Sequence, residues 1–446
     1  MIFKSQRLHL CSVIAKTKRY FQITSVNITI VSTFESKGGA GRAANRLHRS
    51  FVEQGLNSRM RVQSRQSGDW LVTAPKQPFG KIWSDMRSIG EVILSRFQKS
   101  LNPILHSPGY FSSLKATEIN RSDADVINLH WVGDGFVSVN TVAKIKKPVV
   151  WTLHDSWVFC GSEHHPHGSD DSRYVDGYRS DNRPLSSSGV DLDKWVWNRK
   201  KKLWKRPIHL VTPSAWLGAT AKQSALAKHW PLSVIPNAVA TDLFKPCDKN
   251  FARDVFQLPK DKKILLFGAL SYQKDLNKGY DLLKKALITF VEQVDNPHEY
   301  VGVVFGQSAS EHAEDLGLPL HYVGYLNDDQ SLSMLYNAAD VVIVPSRMEN
   351  LPQTATEAQS CGVPVVAFNT CGIPEAVVHL ESGYLAKPYD TDDLANGIQW
   401  VLSDDSRYKK LCEFARKRAV TLWSPDVVTH QYYELFKQVL REPRRL

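Results

Sequence analysis

The chain has 446 residues, 42% hydrophobic and 23% charged, which leaves room for two or three ordinary globular domains. Its net charge is +11, yet it has no zinc-finger spacing, aromatic–basic strand signature or basic helical arm, so phosphorylated substrates or anionic lipid fit better than nucleic acid. No apolar run reaches the ~18 residues of a membrane span, and six cysteines without paired spacing fit a reducing, cytosolic compartment.

Residues 1–26 are basic with one brief apolar patch, Leu10–Ala15, too short and interrupted for a signal peptide. They are expected to form a surface tail outside the fold. From Val26 onward, apolar strand-like runs recur at Asn27–Ser32, Ser58–Val62, Asp125–Trp131, Pro148–Leu153, His209–Pro213 and Ser233–Pro236. A second series follows at Ile264–Phe267, Tyr300–Phe305, Leu320–Val323, Val341–Val344 and Val363–Phe368. Helical patterns such as Ala40–Gln54, Lys278–Gln293 and Gln330–Ala339 lie between them. Buried strands alternating with helices predict parallel sheets covered on both faces.

Pro236 and Asn237 mark a turn-rich connection, which puts a boundary near residue 238. The expected division is a tail (1–26), a first α/β domain (27–238), a second (239–423), and a terminal helix and tail (424–446) that could cross back. Residues 161–189 are rich in His, Ser, Asp and Gly, the composition of a lid or a disordered loop. Within them, Glu163-His164-His165-Pro166-His167 looks metal-like. Three histidines within four positions cannot easily share one tetrahedral ion across a proline, so no metal is expected there. Lys194–Arg206 reads as a basic helix carrying Trp195, Trp197 and Trp204, either resting on anionic headgroups or burying its tryptophans.

The richest stretch is 340–388. A buried strand ends at Pro345, a polar loop follows, and Pro352 opens a helix over Gln353–Ser360. Loops at the carboxyl edge of a parallel sheet are where such proteins bind ligands. Glu349 in the loop and Glu357 on the helix flank a helix start whose free N–H groups suit a phosphate. Carboxylates on either side of an anion hole suit a nucleotide sugar.

Together, Glu349 and Glu357, Val234–Asn237 (VIPN), Lys278-Gly279-Tyr280 and Gly38–Ala44 (GGAGRAA) resemble the family 4 retaining glycosyltransferases of the GT-B fold. Ile127–Ser138 and Val149–Trp157 are similar to the bacterial polysaccharide branch, colanic-acid-type transferases included. The resemblance spans about residues 27 to 440 and implies two Rossmann-like α/β domains facing each other across a cleft, the first (27–238) on the acceptor side and the second (239–423) on the donor side. It implies that Glu349 meets the donor sugar and Glu357 the ribose hydroxyls. Lys278 would neutralise the diphosphate, and the backbone at Asn350, Leu351 and Gln353 would form the anion hole. Gly39 would let donor and acceptor approach closely, and His154 would touch the sugar at the reaction centre. The substrate would be a UDP- or GDP-sugar, with no cofactor and no metal. The acceptor would be a glycan or lipid-linked glycan, handled in the cytoplasm or at the inner face of a membrane.

Plain alternatives exist for each residue: a solvated loop Glu349, a helix-surface Glu357, an exposed Lys278, a structural His154. The family arginine after the strand 264–267 is replaced by Ala269, with Lys274 as a substitute cation. That departure leaves a rival reading, a scaffold that binds nucleotide or polysaccharide without catalysis.

Overall fold

A computed structural model describes residues 26–75, 79–99, 104–166, 172–268, 275–307 and 316–442. Residues 1–25 of the expected tail, Ala269, Lys274 and His167 lie outside these residues, and Val26, its last residue, is buried in the core.

The first sheet has seven parallel strands: β1 (Asn27–Phe34), β2 (Asn57–Ser64), β3 (Val72–Thr73), β5 (Val126–Leu129), β6 (Val149–Thr152), β8 (His209–Thr212) and β9 (Leu232–Val234). Their spatial order is β3-β2-β1-β5-β6-β8-β9. Two short strands, β4 (Gln98–Lys99) and β7 (Ser188–Gly189), pair antiparallel beside it. The central strands β5, β6 and β8 are buried almost throughout, as continuous Val/Ile/Leu runs require. Nearer the edge, β2 alternates: Met60 and Val62 point into the core, while Arg59 and Arg61 pair with Asp123 and Glu118.

The second sheet has six parallel strands: β10 (Lys263–Gly268), β11 (Tyr300–Phe305), β12 (Leu320–Gly324), β13 (Val341–Val344), β14 (Val365–Phe368) and β15 (Gly383–Ala386). Their order is β12-β11-β10-β13-β14-β15. In both sheets the strand order reverses next to the first strand, which opens a crevice at the carboxyl ends. β15 carries no strong sequence signal, because an edge strand with Gly383 and a half-exposed Tyr384 lacks a continuous apolar run.

Two segments join the halves. Val239 N–H donates to Trp423 O at 2.8 Å, so the outgoing and returning chains run side by side. The helix Asp405–Trp423 ends at Ser424, and Pro425 opens the helix Pro425–Arg441, a position that needs no N–H. That last helix packs on the first sheet: Tyr432 and Phe436 meet Phe51 edge-on, each at 5.9 Å between centroids.

The described residues of 161–189 do not form a bare loop. Glu163, His164, Arg173 and Tyr178 are buried, and Arg173 forms an ion pair with Asp191 at 2.7 Å. The basic helix spans Leu192–Leu203 and buries Trp197, with Trp204 buried just beyond its end against Trp151 and Trp157. Lys200 is fully buried too and donates to the carbonyls of Trp157, Cys160 and Gly161. Burial of the tryptophans therefore accounts for this helix, and Trp195 alone of the three stays substantially exposed, at 39%.

Candidate active site

Two groups of side chains face each other where the carboxyl ends of both sheets meet. On the second sheet, Lys278 sits in a 3-10 turn, Leu276–Lys278, just before the helix Tyr280–Gln293. Its ammonium donates to Glu349 Oε1 at 2.7 Å, and Ser346 Oγ donates to the same oxygen at 3.2 Å. Gly279 makes this approach possible. Its φ is +65°, and a Cβ there would fall 2.0 Å from Pro345 O. Arg347 then ties the loop down, with two bonds to Asp281 at 2.7 and 2.6 Å and one to Leu276 O at 2.8 Å. Lys278, whose side chain is 44% exposed, is held above its ordinary pKa chiefly by the Glu349 carboxylate, with partial desolvation opposing.

Gly372 performs a similar service: a Cβ there would lie 1.6 Å from Asn350 O, so only glycine lets the two loops touch. Asn350 Oδ1 accepts from Ser214 Oγ at 2.6 Å and its amide donates to Leu153 O at 3.3 Å, linking the second domain to the first. Leu351 is 6% exposed and its side chain belongs to the core, so only its backbone can meet a ligand. The helix Gln353–Ser360 starts after Pro352 with no side-chain cap, and its first backbone bonds begin at Ala355 and Thr356. The N–H groups of Gln353 and Thr354 therefore point out of the helix start, the arrangement that suits an anion.

Glu357 is no surface residue. It is 3% exposed, and each oxygen has a partner: Oε2 accepts from Tyr336 at 2.8 Å, and Oε1 from Arg46 at 2.6 Å. Arg46 comes from the helix Gly38–Glu53 of the first domain and also grips Asp329 with bonds of 3.0 and 2.8 Å. Burial works against its charge, but Glu357 and Asp329 hold the guanidinium above its ordinary pKa. Gln353 joins this contact, accepting from Arg46 at 3.3 Å and donating to Gly39 O at 2.6 Å. Gly39, Arg42 and Arg46 fall at i, i+3 and i+7, one stripe of that helix, which was a readable signal. Arg42 completes the stripe by donating to Leu326 O at 3.2 Å.

On the first sheet, His130 and His154 end β5 and β6 and bond to each other at 2.9 Å. Asn128 donates its amide to Val150 O and Thr152 Oγ1, so its Oδ1 accepts from His130 Nε2 at 3.1 Å. His130 Nδ1 is then the acceptor, and His154 Nε2–H the donor. The tautomer leaves His154 Nδ1 as a lone pair without a partner among the described residues. Burial lowers the pKa of both rings, His154 to about 4, so both are neutral at pH 7.

Next to them Asp155 accepts from His164 Nδ1 at 2.6 Å, and His164 Nε2 meets Ser107 Oγ at 2.8 Å. Burial would raise the Asp155 pKa, but the His164 ring holds it at about 2. His165 lies within electrostatic reach of Asp155, Glu349 and Lys278, with Nδ1 buried and unbonded. His164 and His165 thus act as individual groups, one bonded to Asp155 and the other near Lys278 and Glu349, which spacing alone does not reveal. The structure brings Lys278, Glu349, Gln353, Glu357 and Gly39 into one region, with His154 across the cleft.

Residues 248–418 match the family model described as glycosyl transferases group 1. An uncharacterized glycosyltransferase of Methanocaldococcus jannaschii is 30% identical over 195 residues, covering 42% of this chain and 48% of that protein. A D-inositol 3-phosphate glycosyltransferase of Catenulispora acidiphila is 33% identical over 208 residues, covering 43% and 48%. The chain spans about half the length of these curated relatives. Among solved structures, sucrose-phosphate synthase of Thermosynechococcus elongatus superposes over 94% of this chain and 100% of its own, with a TM-score of 0.63 at 19% identity.

The fold is GT-B. Anabaena HepE with UDP and glucose shares it, at a TM-score of 0.60 and 16% identity over 93% of this chain and 100% of its own. In GT-B terms the matched residues 248–418 lie in the second domain, which carries Lys278, Glu349 and Glu357. The first domain, outside the family match, contributes Arg46, His130 and His154 to the facing wall.

Proposed function

We propose that this protein is a metal-independent retaining glycosyltransferase, moving a sugar from a UDP- or GDP-sugar to a hydroxyl of a growing polysaccharide or lipid-linked glycan. The observation that carries the reading is the Lys278–Glu349 pair beside the uncapped start of the helix Gln353–Ser360. A diphosphate seated on that helix start would draw Lys278 away from Glu349 and use its charge as the bond to the sugar breaks. Glu349 is then free to accept sugar hydroxyls and to face the positive charge that develops on the ring. The acceptor oxygen attacks from the side the diphosphate leaves, and the departing phosphate oxygen takes the acceptor proton. His154 offers Nδ1 as an acceptor for a sugar hydroxyl. Glu357 meets the ribose only if Arg46 yields or shares its oxygen.

The family match and the HepE structure solved with UDP-glucose support a nucleotide-sugar donor. A panel of UDP- and GDP-sugars, followed by melting temperature and by nucleoside diphosphate release, tests the reading. One donor should raise the melting temperature and be slowly consumed. A rise without release would favour the non-catalytic scaffold; no response to any donor would end the proposal.

A further inference from the structure

Behind the cleft, the segment 105–107 runs antiparallel to 162–164. Ser107 N–H donates to Ser162 O at 2.7 Å and His164 N–H to Leu105 O at 3.0 Å, which sets His106 directly opposite Glu163. Residues directly opposite each other in such a ladder project to the same face. Asp193, in the first turn of the helix Leu192–Leu203, reaches the same point. One ligand atom from each of His106, Glu163 and Asp193 lies within 4.8 Å of the others.

The surroundings hold the two carboxylates as ligands are held, while His106 Nε2 is buried without a hydrogen-bond partner. Asp193 Oδ2 accepts from Gln98 at 2.7 Å, which leaves Oδ1 to meet His106 Nδ1 at 3.2 Å and Ser162 Oγ. Glu163 Oε1 accepts from Tyr178, while Oε2 is buried with no hydrogen-bond partner in a residue only 3% exposed. Each carboxylate thus has one oxygen fixed from outside the cluster, by Gln98 or Tyr178, and the other turned inward, where Asp193 Oδ1 also meets Ser162. Two carboxyl groups side by side, Glu163 buried and Asp193 with its side chain only 13% exposed, need a cation between them, either a proton or a metal. An imidazole nitrogen with two carboxylate oxygens suits zinc better than calcium or magnesium, which favour all-oxygen shells.

We propose that His106, Glu163 and Asp193 bind a zinc ion, with Ser162 Oγ or water completing the tetrahedron. The role is structural. The ion would pin three distant segments together and fix the segment that carries His164 and His165 toward the cleft. Spacing could not show it, because the ligands are 57 and 30 residues apart. The inference does not depend on the proposed sugar transfer.

The test is metal content by mass spectrometry of untagged protein dialysed against zinc, with melting temperature before and after chelation. Wild type should retain stoichiometric zinc and melt at a higher temperature with it than without. Glu163→Gln and His106→Gln should lose both effects. Glu163→Gln also separates the two cations, since a neutral amide mimics a protonated carboxyl group beside Asp193. If wild type retains no zinc and its melting is unmoved by zinc, or if Glu163→Gln is as stable as zinc-loaded wild type, the shared proton replaces the metal. Should either variant fail to fold, the wild-type metal content and zinc-dependent melting decide alone.

Discussion

His130 and His154 show how burial selects one protonation state and one tautomer. Each ring nitrogen in their chain has its role fixed by Asn128, whose amide is committed to β6. Both pKa values lie below the ordinary value of about 6.5, His154 at about 4. Between those values the unfolded chain binds more protons than the folded one, so stability falls as pH drops from about 6.5 towards 4. Each pKa unit is worth about 1.4 kcal/mol, giving an expected loss on the order of 2–3 kcal/mol from His154. His154→Gln keeps a donor toward His130 and cannot titrate. Its denaturation midpoint should therefore fall less steeply than wild type across that window; parallel curves would show that the ring does not carry the effect.

Among the elements, the helix Gly38–Glu53 shows what was and was not legible in the chain. Its existence and the glycines at its start stand out from the sequence, as do β1, β13 and the helix Gln353–Ser360. Apolar periodicity and Pro352 mark these regardless of tertiary context. The partners of Arg46 do not, because Asp329 and Glu357 lie about three hundred residues further on, in the other domain. The same holds for Glu163 and Asp193, and for the Ser107–His164–Asp155 chain: polar groups meet through folding and leave no periodic trace. The resemblance singles out Glu349 and Lys278, and the structure pairs them at 2.7 Å, a contact that Gly279 permits by letting the backbone approach Pro345. Removing Arg46 leaves Glu357 and Asp329 without their cation, and breaking a buried pair in this way costs about 3–5 kcal/mol. Arg46→Met should therefore loosen the two domains. Small-angle scattering should show a larger radius of gyration for the free variant, and an unchanged radius would mean that other contacts hold the cleft.

At the scale of the whole molecule, one cation crosses between the domains, Arg46 onto Glu357, while another, Lys278, meets Glu349 within the second domain. Glu375 reinforces the closed arrangement from the second domain, accepting from the N–H groups of Ala215 and Trp216 at 2.7 and 2.8 Å. The two carboxylates eight residues apart thus face different tasks. Glu357 is locked into the domain contact, and Glu349 shares a partner that a diphosphate would take from it. Steady-state kinetics and calorimetric nucleoside diphosphate binding on Glu349→Gln test that division most directly. The substitution keeps size and removes the charge that would oppose the developing oxocarbenium ion. Turnover should fall by at least about tenfold, roughly 1.4 kcal/mol of transition-state stabilisation, while nucleoside diphosphate affinity is unchanged or tighter because Lys278 is released. Undiminished turnover, or a marked loss of nucleotide binding with turnover intact at saturation, would contradict the placement of the reacting sugar at Glu349.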